Sequence, residues 1–75
     1  MPYKLSPMGI EAVDTGEGFR ELTELQRAAV SYLDIFRSKG FIPSSEIAEY
    51  YKLAPQGMRG PLYWLWRKGL VLKEE

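Results

Sequence analysis

The chain has 75 residues, no cysteine and no histidine, ten basic against ten acidic side chains, and 45% hydrophobic residues. That length allows one small domain, and the two missing residue types exclude disulfides, thiolate nucleophiles, cysteine-based metal sites, imidazole ligands and a near-neutral proton shuttle. No apolar run approaches the roughly 18 residues of a membrane span, and the start lacks a signal peptide's apolar stretch, so a cytoplasmic module with no membrane association, no cofactor and no enzymatic role is expected.

Tyr3-Lys4-Leu5 is short enough to add one strand to a sheet edge. Ser6-Pro7 then reads as a helix start: serine caps, and proline suits the first helical position because its missing N–H would go unpaired there. Ile10 and Val13 give this short helix one apolar face, Gly9 weakens it, and Asp14-Thr15-Gly16-Glu17-Gly18 ends it in a linker. Residues 1–18 are thus expected to form an N-terminal strand, helix and linker ahead of a domain over 19–75.

Thr23-Glu24-Leu25-Gln26 has the spacing of a capping box. Behind it Leu25, Ala29, Tyr32, Leu33 and Phe36 form the apolar stripe of an amphipathic helix, which Lys39-Gly40 ends. Phe41-Ile42-Pro43 is long enough only for an extended link or a two-residue strand. Ser44 or Ser45 is expected to cap a second helix, from Glu46 to about Lys52, that buries Ile47, Ala48 and Tyr51. A turn at Leu53-Ala54-Pro55 leads into a third helix with Met58, Leu62 and Leu65 facing the core, and it closes at Lys68-Gly69. Leu70-Val71-Leu72 is β-prone, and pairing with Tyr3-Lys4-Leu5, with Phe41-Ile42 or with another chain would satisfy it.

Helix, extended link, helix, turn, helix and strand is the order of a winged helix-turn-helix. Ser44-Ser45-Glu46-Ile47-Ala48-Glu49, then Leu53, then Leu65-Trp66-Arg67-Lys68-Gly69-Leu70-Val71 resembles that family's motif, over roughly Leu22 to Leu72. The chain looks like the DNA-binding domains of bacterial and archaeal repressors of the multiple-antibiotic-resistance and SOS types. The resemblance implies a mainly α fold with a small β element: a winged-helix-like core of three helices, with a short or missing wing and an extra N-terminal segment. It also implies a transcriptional regulator that binds double-stranded DNA. The same scaffold serves as a protein-binding module, so an adaptor that binds no DNA is the alternative.

Charge is divided in a way that suits the first reading. Up to Phe36 there are three basic against six acidic residues, and from Arg37 onward seven basic against four acidic. At 100° per residue, the third helix turns Gln56, Gly57, Gly60, Tyr63, Trp64 and Arg67 away from the core, flanked by Arg59 and Lys68. Gln56 would pair with adenine, Arg59 or Arg67 with guanine or phosphate, and Tyr63 with Ser44 or Ser45 would hold phosphates. With Lys68 these are the expected DNA-binding residues; an ordinary solvated basic face would look the same.

Three features depart from the family pattern. Gly57, Gly60 and Pro61 lie inside the supposed reading helix, so either it begins near Gly60 with Pro61 in its first turn, or it is kinked. The two glycines mark either local helix weakness or close backbone approach to a phosphate or partner. Only six residues follow Gly69, too few for a wing. Finally, Trp64 points outward: either Ile10 and Val13 of the N-terminal helix cover it, or it anchors a homodimer or a protein partner together with Leu70 and Leu72.

Overall fold

A computed structural model describes residues 2–74. The chain begins with β1 (Pro2–Leu5), in which Tyr3 and Leu5 are buried and Lys4 is half-buried, the alternation of a strand with one face on a core. Ser6 ends β1 and caps α1 (Pro7–Thr15), its hydroxyl accepting from the Gly9 amide at 3.0 Å with Pro7 at the first helical position. Gly16 closes α1 in the left-handed region at φ 75°, its N–H donating to the Ala12 carbonyl at 2.8 Å. Gly9 is more than a weak helix former. A Cβ there would overlap the carbonyl oxygen of Leu70, so the missing side chain lets α1 approach the far end of the chain.

A single 3₁₀ turn at Phe19–Glu21 leads to α2 (Glu24–Ile35). Both halves of its capping box form: the Gln26 amide donates to the Thr23 hydroxyl at 3.2 Å, and the Thr23 amide donates to Gln26 Oε1 at 3.0 Å. Its buried residues are Gln26, Ala29, Val30, Tyr32 and Leu33. The stripe is therefore turned relative to the expected one, with Leu25 40% exposed and Val30 in its place. The reason is tertiary, since α1 packs along one flank of α2 and covers Val30.

A second 3₁₀ turn at Arg37–Lys39 precedes β2 (Ile42–Pro43), which runs directly into α3 (Ser44–Tyr50). Neither serine caps α3. Pro43 holds the N-cap position without a side-chain bond, Ser44 is the first helical residue, and the helix starts two residues earlier than expected. Lys52, at φ 59°, turns the chain, and the Tyr51 hydroxyl donates to the Ala28 carbonyl at 2.9 Å, tying the end of α3 to α2.

The last helix, α4 (Arg59–Arg67), begins near Gly60, one of the two alternatives open at Pro61. Proline in the first turn forfeits no intrahelical bond, whereas a helix starting directly after the Leu53-Ala54-Pro55 turn would lose one. Gln56 is left in the turn before α4, and Arg59 becomes its first residue. Met58, Leu62 and Leu65 are fully buried, as their spacing predicts. Gly69, at φ 83°, ends the helix: its amide donates to the Trp66 carbonyl and the Leu70 amide to the Leu65 carbonyl, both at 3.0 Å.

The chain finishes with β3 (Val71–Lys73), and the strand order is β2–β1–β3, antiparallel throughout. β1 is central, not an edge. It places Tyr3 opposite Ile42 on one side and opposite Lys73 on the other, with Leu5 opposite Val71. The described residues thus form a mainly helical protein with four α-helices and a three-stranded antiparallel sheet. Tyr3, Leu5, Val30, Leu33, Ile42, Ile47, Met58, Leu62, Leu65 and Val71 make one core between helices and sheet.

One polar cluster spans α2 and α3. Glu46 Oε2 accepts from the buried Tyr32 hydroxyl and from Lys39 Nζ, each at 2.8 Å. The Lys39 and Tyr32 hydrogen bonds hold the Glu46 carboxyl below its ordinary value, against the opposing effect of its burial. Burial, and then the Glu46 bond, push the Tyr32 phenol up to about 12.

Two predictions follow from these contacts. Gly9→Ala should lower stability by about 1–3 kcal/mol despite alanine's better helix propensity, because the added methyl meets backbone. Gly60→Ala has open space around its Cβ and should leave stability level or raise it by up to about 1 kcal/mol in the same denaturant titration. The second concerns pH. A carboxyl with a depressed folded pKa stabilises above its unfolded value of 4.5, and that contribution disappears as pH falls through the folded value. Melting temperature should therefore fall more steeply below pH 4.5 in the native chain than in Glu46→Gln. The Tyr32 contribution has the opposite sign and should be lost as pH rises from 10 towards about 12.

Candidate functional site

Residues from four elements meet at the amino end of α4. Tyr3 of β1, Ser44 of α3, Arg59, Gly60 and Tyr63 of α4, and Lys73 of β3 line an open concavity of about 510 Å³. The β1–β3 register sets Tyr3 beside Lys73, and the direct passage from β2 into α3 brings Ser44 beside Tyr3's strand. No carboxylate is among these lining residues. Among the described residues the ion pairs are Arg37 with Asp34 and Lys39 with Glu46, so Arg59 and Lys73 are paired with no acid.

The two hydroxyls differ from ordinary surface groups. Tyr3 and Ser44 are each only 6% exposed, yet neither hydroxyl has a hydrogen-bond partner among the described residues. No side-chain polar atom that is fully enclosed there lacks a partner, so neither oxygen is fully enclosed. Burial raises the Tyr3 phenol above its ordinary value. Gly60 lies in the first turn of α4, and its backbone N–H has no acceptor among the described residues. Donors and cations without an acid suit an anion, and the group contains no base or activated nucleophile.

A row of side chains continues from this concavity along α4. Arg59, Tyr63 and Arg67 are spaced four apart and exposed, and Arg67 Nη1 donates to the Tyr63 hydroxyl at 3.0 Å with its guanidinium 5.8 Å from the ring centre. Tyr63 also stands edge-on to Trp64 at 5.8 Å and tilted to Trp66 at 6.0 Å. The Lys73 ammonium lies 4.1 Å from the Trp66 ring centre. Trp64 is 56% exposed, because Ile10 and Val13 pack on the core and leave it uncovered.

The structure thus brings Ser44, Arg59 and Tyr63 together and continues the row to Arg67. Ser45 is exposed on α3, Gln56 projects from the turn, and Lys68 lies at the far end of α4. Leu72 is exposed on β3, whereas Leu70 is half-buried against the core. Tyr3 and Lys73 are the members that the sequence reading missed. Shifting the antiparallel pairing of Tyr3-Lys4-Leu5 by one residue, so that Tyr3 faces Lys73 rather than Leu72, sets them side by side.

Comparison with known proteins finds no matching family model, no matching curated protein and no matching solved structure. Among the described residues, no group of three or more acidic side chains could hold a metal ion, and no helix is long and apolar enough to cross a membrane.

Proposed function

We propose that this protein binds double-stranded DNA through the outward face of α4, as a small winged-helix-like transcriptional regulator in which α3, the turn and α4 form the helix-turn-helix. The observation that carries this reading is the exposed row Arg59–Tyr63–Arg67 on a helix that contains no acidic residue. Arginines in such a row suit guanine edges or phosphates, and Tyr63 suits a phosphate oxygen. α1 packs on α2 and beside the turn after α4, which leaves this face open to a duplex. A homodimer fits the same reading, because one module supplies few phosphate contacts and two half-sites a helical turn apart double them.

The exposure of Trp64 beside Tyr63 favours a second reading, in which the same face holds a protein partner. Exposed Trp–Tyr pairs flanked by arginine have the composition of an interface hot spot.

Fluorescence anisotropy with labelled duplex at two or more salt concentrations separates the readings. With roughly four phosphate contacts per module, log affinity should fall against log salt with a slope near −4. The double variant Arg59→Ala, Arg67→Ala should reduce that slope by about two. Absence of binding at low salt would overturn the DNA reading, and a partner captured by the native chain but lost in Trp64→Ala would establish the other.

A further inference from the structure

We propose that the concavity at the amino end of α4 is a binding site for a single phosphate group, held between the Tyr3 and Ser44 hydroxyls, the Arg59 guanidinium and the Lys73 ammonium. The row on α4 runs along one helix, whereas this is an open concavity built from both ends of the chain. Tyr3 and Ser44 are nine-tenths buried as residues and line the same space, yet their hydroxyls have no hydrogen-bond partner among the described residues, whereas buried polar groups ordinarily find partners within the protein. Such hydroxyls are poised to donate to an oxygen brought from outside.

Two cations without an acidic partner among the described residues border that space, and the first turn of α4 adds the Gly60 N–H, which has no acceptor among those residues, and the positive end of the helix dipole. Gly60 stands in open space where a Cβ would meet nothing within 4 Å, so an incoming oxygen can approach the backbone there. A phosphate has enough acceptor oxygens to engage several of these donors at once, and its charge matches Arg59 and Lys73. Lys73 need only move from its place 4.1 Å from the centre of the Trp66 ring to reach it.

The site shares Arg59 and Tyr63 with the row proposed to face DNA, but it does not depend on that proposal. The phosphate is either a backbone phosphate of the duplex or the phosphate of a free small ester. Titration with inorganic phosphate at constant ionic strength, followed by amide chemical shifts, tests the site directly. Shifts should centre on Ser44, Gly60 and their neighbours and saturate in the millimolar range. Tyr3→Phe and Ser44→Ala, which each remove little more than a hydroxyl, should weaken binding about tenfold apiece, because hydrogen bonds to charged groups are the strong ones. Arg27→Gln, exposed on α2 outside the concavity, should leave it unchanged.

The proposal is overturned if phosphate shifts no resonance beyond those moved by chloride, or if binding is the same in Tyr3→Phe and Ser44→Ala as in the native chain. Duplex titration of the same variants distinguishes the source. A backbone phosphate predicts that Tyr3→Phe weakens DNA binding and that inorganic phosphate competes with the duplex. A free ester predicts phosphate binding that Tyr3→Phe impairs while duplex affinity is unaltered. Phosphate binding without any DNA binding would leave this site standing and remove the DNA reading alone.

Discussion

The Ser6 side chain bonds in two directions. Its hydroxyl accepts from the Gly9 amide, capping α1, and donates to the carbonyl of Gly69 beyond the end of α4. Its backbone N–H donates to the next carbonyl, that of Leu70, at 3.1 Å. Gly9 completes the joint by presenting no side chain to that carbonyl. One buried serine therefore fastens the start of the chain to its end, in a protein whose length leaves little core to spare. β1 lies between β2 and β3, and this joint adds to the pairing that holds β1 against β3.

The candidate site is a product of that closure. Tyr3 and Lys73 are neighbours through the β1–β3 register, although nearly the whole chain separates them in sequence. Ser44 joins them because β2 flanks β1 and passes directly into α3. The cost of leaving their hydroxyls without internal partners is moderated by access to water in the open concavity. The same closure gives β3 a partner along one edge, so Val71 returns to the core while Leu72 faces outward.

α4 combines two tendencies in nine residues. Its inner face is plain core, with Leu62 and Leu65 fully enclosed. Its outer face alternates arginine with large aromatic rings, which gives it attraction for phosphate as well as apolar area for a protein surface. Tyr63 links the two, since it bonds Arg67 and stands against both tryptophans. Placement of α1 elsewhere, against α2, leaves this mixed face uncovered.

What could be read from the chain alone were features decided within about four residues. The Thr23–Gln26 box, the Ser6-Pro7 start, the Gly69 stop and the inward set Met58, Leu62 and Leu65 depend on local hydrogen bonds and helical period, and each forms as read. The misplaced features all depend on a second element. Val30 replaces Leu25 in the buried stripe because α1 lies on that flank, and Ser44 is buried because β2 feeds straight into α3. Gly9 reads as a weakness until Leu70 is seen against it. Periodicity sets how apolar residues are spaced along a helix; which side of the stripe is covered, and which distant side chains share a cavity, is set by the packing of elements far apart in the chain.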